Sequence, residues 1–225
     1  MKRLFIVCVL IFSCHSYCNA QTLEVNIRDC RVKNDRYVYL NEFKLYKDDV
    51  LIRTVSPDYK SKQIIQLKVL GKYRIEYKTI FDRTESIFID ITTDKKHTVE
   101  LCLDYFNYKS DPYVPIISRL QNGENYTIEI ESRGCFHYSK DTIVVLNKTG
   151  EFYVVYGGNE KKLSESGIKA IKRFEIELNH MQSEGCTTVD TYILTYKNES
   201  MVLFDGGCKW HGGGYLKSTL NLVKE

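Results

Sequence analysis

The chain has 225 residues, 43% hydrophobic and 27% charged, with a formal net charge of only +3. That length suffices for two small domains of about 100 residues each. Near-neutrality with interspersed signs excludes a surface built for nucleic acid or another polyanion.

Residues 1–20 have the layout of a secretory signal peptide. Lys2 and Arg3 are basic, Leu4 to Ser13 is a short apolar run, and Cys18-Asn19-Ala20 ends in a small residue before Gln21. The expectation is export to the periplasm or the exterior, with Gln21 first in the mature chain. Ile11-Phe12-Ser13-Cys14 offers a rival, a lipobox anchoring the chain through Cys14, but Phe12 fits it poorly. The apolar run is far shorter than the roughly 20 residues that cross a bilayer, and no later run reaches that length. No transmembrane segment is expected in the mature chain.

Beyond residue 20 lie Cys30, Cys102, Cys135, Cys186 and Cys208. Export favours disulfides. An odd number leaves at least one cysteine to stay free, pair between chains or bind something.

From residue 21 to 105 the pattern is short strands. Leu23, Val25 and Ile27 alternate with polar residues. Arg36 to Tyr46 and Val50 to Val55 flank the turn Lys47-Asp48-Asp49. Ile64 to Leu70 follows, then Tyr73, Ile75 and Tyr77 on one face, then Ser86 to Ile91 and Thr98 to Leu103. No helical period occurs here, and this spacing predicts an antiparallel β-sandwich. The run Leu67-Lys-Val-Leu-Gly71-Lys-Tyr73-Arg-Ile75 resembles the strand entry of prealbumin-like sandwiches, the carboxypeptidase regulatory-like and adhesin repeats. That resemblance implies a module used as stalk, spacer or binding domain alike. Cys30 and Cys102 both fall on the polar phase of their strands. A first strand beside the last would bring them together as a disulfide on an outer face, and the alternative is two unpaired surface thiols.

Residues 106–117, with Pro112 and Pro115, read as a linker on a domain surface. Its aromatics Phe106, Tyr108 and Tyr113 are expected to pack at the domain junction. Residues 118–225 read as an α+β domain, an antiparallel sheet with one main helix. Strands are expected at Tyr126–Ile130, Thr142–Leu146 and Phe152–Tyr156. Ile168, Ile171, Phe174, Leu178 and Met181 then recur at helical steps, with Lys169, Lys172, Arg173, Glu175 and Glu177 mostly opposite. Ser164 is the expected N-cap and Gly185 the terminator. Arg173 and Glu177 are spaced to pair along the helix.

A final hairpin is expected on either side of Lys197-Asn198-Glu199-Ser200. With Asn198-Glu199 as the turn, Lys197 faces Ser200. Cys186 and Cys208 flank the hairpin and are expected to form a disulfide with help from Gly206-Gly207, leaving Cys135 as the odd thiol. Cys135 remains the rival partner for either. Trp210, the only tryptophan, follows, and a short helix closes the chain. Arg133-Gly-Cys-Phe-His137, Phe174 to Met181, Cys186 to Tyr192 and Asp205-Gly-Gly-Cys-Lys-Trp210 together resemble a recurring C-terminal domain of short, uncharacterised secreted bacterial proteins. The resemblance implies no known activity, and His211-Gly212 departs from the aromatic turn it leads one to expect.

Candidate chemistry is sparse. Cys135, His137, Cys208 and His211 offer a zinc set of unusual spacing, against the plainer reading that Cys208 is oxidised and the histidines exposed. Cys135 with His137 or His180 offers a nucleophile and a base. No motif for a hydrolase serine, metalloprotease, phosphate loop or dinucleotide occurs, so no cofactor is implied. The three Asn-x-Ser/Thr sequons read as turn chemistry, and most of the 17 tyrosines as half-buried strand residues. The reading is therefore an exported, non-catalytic binding or interaction module for a protein or glycan ligand. Its binding candidates are Arg133, His137, Asp205 and Trp210. The alternative is a small exported hydrolase or metal-dependent enzyme using Cys135, His137 and Asp205.

Overall fold

A computed structural model describes residues 21–31, 39–57, 60–93, 95–181, 187–207 and 209–222. Residues 1–20, where a signal peptide is expected, and Gly185, Cys186 and Cys208 lie outside the described residues.

Among the described residues, the first half holds seven strands: β1 (Gln21–Arg28), β2 (Phe43–Lys47), β3 (Val50–Val55), β4 (Lys62–Leu67), β5 (Gly71–Lys78), β6 (Thr84–Ile91) and β7 (His97–Cys102). They form a three-stranded sheet, β4-β1-β7, and a four-stranded sheet, β3-β2-β5-β6. Their inner faces share one core: Leu23, Val25, Ile27, Ile65 and Leu101 from the first, Phe43, Leu45, Tyr73, Ile75 and Tyr77 from the second. The expected sandwich is therefore present. Gly71 enters β5 at φ +139°, where a side chain would be strained. Tyr73 and Ile75 follow inward.

Two details differ from an all-antiparallel sandwich. The first strand does lie beside the last, but β1 and β7 run parallel, with Arg28 opposite Cys102. The reason is the connection: β7 arrives from β6 in the other sheet, a crossover and not a hairpin. In addition, β2 and β3 slip register between Leu45 and Tyr46. Cys30 and Cys102 are joined, with Cα atoms 5.3 Å apart.

The second half runs α1 (Ile116–Arg119), β8 (Asn125–Arg133), β9 (Tyr138–Lys148), β10 (Glu151–Tyr156), β11 (Asn159–Lys162), α2 (Glu165–Leu178), β12 (Val189–Tyr196), β13 (Glu199–Asp205) and α3 (Gly212–Thr219). The strands make one antiparallel sheet, β11-β10-β9-β8-β12-β13. The helices pack on the sheet face that carries Tyr126, Ile128, Ile143, Val145, Val154, Tyr192 and Leu194. The α+β layer is thus as expected, with one strand more. All four residues of β11 are exposed, so no apolar alternation marked it.

Ser164 caps α2 by accepting from the Gly167 amide at 3.2 Å. Ile171, Phe174 and Leu178 are buried as the stripe demands. Glu175 and Glu177, expected on the solvent side, are instead 0% and 3% exposed. Two positions apart on a helix lie about 200° around its axis, so α2 is covered on both flanks of its stripe. The expected Arg173–Glu177 pair is not the one made. Glu177 bonds Arg31, and Arg173 lies over the Tyr108 ring, 5.1 Å from its centre.

Residues 106–117 are not a surface linker. Phe106, Ile116 and Ile117 belong to the second core, and Tyr108 and Tyr113 pack against it, together with Phe81 from the first half. In the last hairpin Tyr196 faces Glu199 and Thr195 faces Ser200, so the turn is Lys197-Asn198, with Lys197 at φ 55°. The expected register was two residues off. A shift of two leaves every side chain on its face, so alternation cannot choose between them and turn geometry does.

Candidate functional site

The β8–β9 hairpin pairs Arg133 with Tyr138, so Gly134 to His137 form its tip. The Gly134 amide donates to the His137 carbonyl at 3.0 Å, which closes the loop. His137 Nε2 lies 3.1 Å from Ser132 Oγ. Its ring fills the space where a Cβ on Gly134 would fall, 2.5 Å from Cε1. Cys135 is a free, exposed thiol. Phe136 is fully exposed at 101%, and Tyr138 is 60% exposed. The Arg133 guanidinium lies over the Tyr138 ring at 5.5 Å and bonds Glu131 at 3.1 Å.

Asp205 and Trp210 belong elsewhere. Asp205 ends β13 opposite Asp190, is 5% exposed, and accepts from the Gly207 amide at 2.9 Å. Burial raises its pKa, with the Asp190 charge adding to the effect. Trp210 is 2% exposed and stacks on Phe174 at 5.6 Å, edge-on to Tyr192 at 5.5 Å. It is a core residue, not a binding platform. Of the four binding candidates, only Arg133 and His137 share an exposed site. Cys135 and His137 sit at the tip with Ser132 as the histidine's partner, while Asp205 is turned inward. Among the described residues no three His, Cys, Asp or Glu side chains converge on a point that would hold a metal.

The junction between the halves carries a connected set of buried and half-buried charges. Asp104, just past β7, accepts from the Cys30 and Arg31 amides at 2.8 and 3.0 Å. It also pairs with Arg31 Nε at 2.7 Å. Arg31 then reaches Glu177 on α2 at 2.7 Å. Glu177 accepts further bonds from the Trp210 indole at 2.7 Å and from the Tyr108 hydroxyl. Burial opposes the Arg31 charge, but Glu177, Asp29 and Asp104 outweigh it and raise its pKa further. A second bridge joins Arg83, Asp111 and His180. Asp111 lies 2.9 Å from Arg83 and 2.7 Å from His180, and both partners pack on the Phe106 ring.

Glu175 points to the other flank of α2. It accepts from the Tyr126 hydroxyl at 2.6 Å and from the Ile116 and Ile117 amides at the start of α1. Burial pushes its carboxyl up to about 7, against the pull of those donors. Sequence reading missed both glutamates as core residues. The available signal was their spacing: on a helix covered by core, Glu175 and Glu177 cannot share one solvent face.

Two clefts remain. One, of about 360 Å³, runs between α2 and α3 past Arg31, Lys169, Arg173, Phe174, Tyr215 and Leu216. The other, of about 850 Å³, opens between the sandwich end at Phe43, Tyr77 and Leu103 and the loops at Met181, Gly207 and Lys209. Among the described residues no helix is long and apolar enough to cross a membrane. No family model matches the chain, and no curated protein matches it.

Proposed function

We propose that the chain is an exported, non-catalytic binding or interaction module that engages a protein or glycan ligand through the β8–β9 hairpin tip. The observation that carries this reading is the tip itself. Phe136 projects fully exposed, beside Tyr138 and its stacked Arg133. Aromatic and arginine side chains are the types that anchor interfaces. The Cys30–Cys102 disulfide supports an oxidising compartment, and so export. The two-sheet sandwich with its Gly71–Tyr73 strand entry supports the prealbumin-like likeness in the first half.

The alternative is a hydrolase or metal-dependent enzyme built on Cys135, His137 and Asp205. It asks for these groups around a concave site. The inward turn of Asp205, the Ser132 bond to His137 and the placement of both clefts elsewhere favour the module.

Immobilised wild-type protein and a Phe136→Ser/Tyr138→Ser variant, compared for ligand capture from envelope extract, test the reading. The variant should lose the captured ligand while melting at the wild-type temperature. Undiminished capture, or a hydrolytic activity abolished by Cys135→Ser, overturns it.

A further inference from the structure

We propose that the groove between α2 and α3 is a second binding site, one that takes a small amphipathic anion: an acyl or aryl body with a carboxylate or sulfate head. Its shape comes from two helices running antiparallel. Leu220, just past α3, lies against Gly167 near the start of α2, where a Cβ would come within 3.2 Å of its Cδ2. At the other end Gly212 opens α3 against Trp210, which stacks on Phe174. The volume of about 360 Å³ lies at the small end of ligand sites, which hold about 300–1,000 Å³.

The floor is fixed from beneath by Phe174 and Leu216, only 4% and 2% exposed, and the apolar surface open to the groove is that of half-buried Ala170 and the exposed Tyr215 ring. The rim is cationic. Lys169 and Arg173 stand one turn apart on α2, both exposed, and among the described residues neither is in an ion pair. The groove's own acid offers a ligand nothing. Glu177 is already held by Arg31, Trp210 and Tyr108. That end is also occupied: Arg31 sits on Glu177, and its carbonyl accepts from the Tyr215 hydroxyl at 2.6 Å. A groove stopped at one end suits a compact ligand better than an extended chain. An apolar body on Ala170 and the Tyr215 ring places an anionic head at Lys169 and Arg173. A cationic head would meet like charge there.

This site is independent of the hairpin tip, so either can fail without the other. Trp210, the only tryptophan, lies directly behind Phe174 and reports occupancy by its emission. The full mature chain is titrated with octanoate, octyl sulfate and octyltrimethylammonium, all kept below micelle formation. Both anions should change the emission saturably, and the cation should not. Lys169→Glu/Arg173→Gln should weaken anion binding by about tenfold or more, with the melting temperature measured alongside because Arg173 also lies over the Tyr108 ring. Ala170→Leu, which fills the groove, should block it in a second way. No saturable response to either anion overturns the proposal. So does an equal response to the cation, or undiminished binding by both variants.

Discussion

Arg31 and Glu177, 146 positions apart in the chain, form a 2.7 Å ion pair that ties the first half of the molecule to the helix of the second. Neither charge is well solvated: their side chains are 19% and 4% exposed. Each is instead surrounded by partners, Asp104 and Asp29 for the guanidinium, Trp210 and Tyr108 for the carboxylate. The pair therefore acts as a fastening whose removal from one side strands a buried charge.

Arg31→Ala should cost on the order of 3 kcal/mol in urea unfolding, because Glu177 and Asp104 lose their cation while staying buried. Arg31→Lys should recover only part of this, since an ammonium lacks the fork that reaches both carboxylates. Arg28→Ala supplies the contrast. Its pair with Glu100 is 46% exposed on each side, so the loss should be about 1 kcal/mol or less. Equal losses at the two arginines would mean the junction pair is no fastening.

Glu175 should make the fold sensitive to pH. Its ordinary value is 4.5 and burial raises it to about 7 in the fold. A raised carboxyl holds its proton more tightly when folded. Its contribution is fully present below about pH 4.5 and lost as pH rises through about 7, roughly 3 kcal/mol across that window. Glu175→Gln should abolish this component. The wild-type stability, taken relative to the variant, should therefore be greater at about pH 5 than at about pH 8. A flat difference across that range refutes the assignment.

Gly212 should tolerate no side chain. A Cβ there would fall 1.9 Å from Cζ2 of Trp210, a ring fixed in the core. Gly212→Ala should cost about 1–3 kcal/mol, the range for overpacked cores, and shift the Trp210 emission. Gly214, in the same helix, has nothing within 4 Å of its built Cβ. Gly214→Ala should be neutral or stabilising by up to about 1 kcal/mol, through helix propensity alone.

The Cys30–Cys102 bond should hold more than its own loop. Its ends are 72 positions apart, and constraining such a loop in the unfolded chain contributes about 4 kcal/mol by the loop-entropy account. Arg31 follows Cys30 directly, and both amides bond Asp104. Cys30→Ser/Cys102→Ser should therefore lower stability by about that amount and also change Trp210 emission through Glu177. A destabilised variant with native emission would confine the disulfide's effect to the sandwich.

The sequence by itself determined what local pattern can encode. Alternation at Leu23, Val25 and Ile27, or at Tyr126, Ile128 and Ile130, names the buried face of a strand before any partner is known. Ser164 marks the start of α2, and the three- and four-residue steps through Ile171, Phe174 and Leu178 fix its inner stripe. The polar phase of Cys30 and Cys102 sufficed to bring them together once the first and last strands were neighbours. Tertiary structure alone decided which charges are buried. Nothing near Glu177 in the chain announces Arg31, and nothing near Glu175 announces the start of α1, because each carboxylate is satisfied by a segment that only packing brings to it. The same holds for Trp210, whose place between Phe174 and Tyr192 depends on α3 folding back over α2. The register at Lys197 and the exposed strand β11 escaped for the opposite reason. A two-residue slip and a fully solvated edge strand leave the apolar pattern unchanged, so burial, the force that writes that pattern, is silent about both.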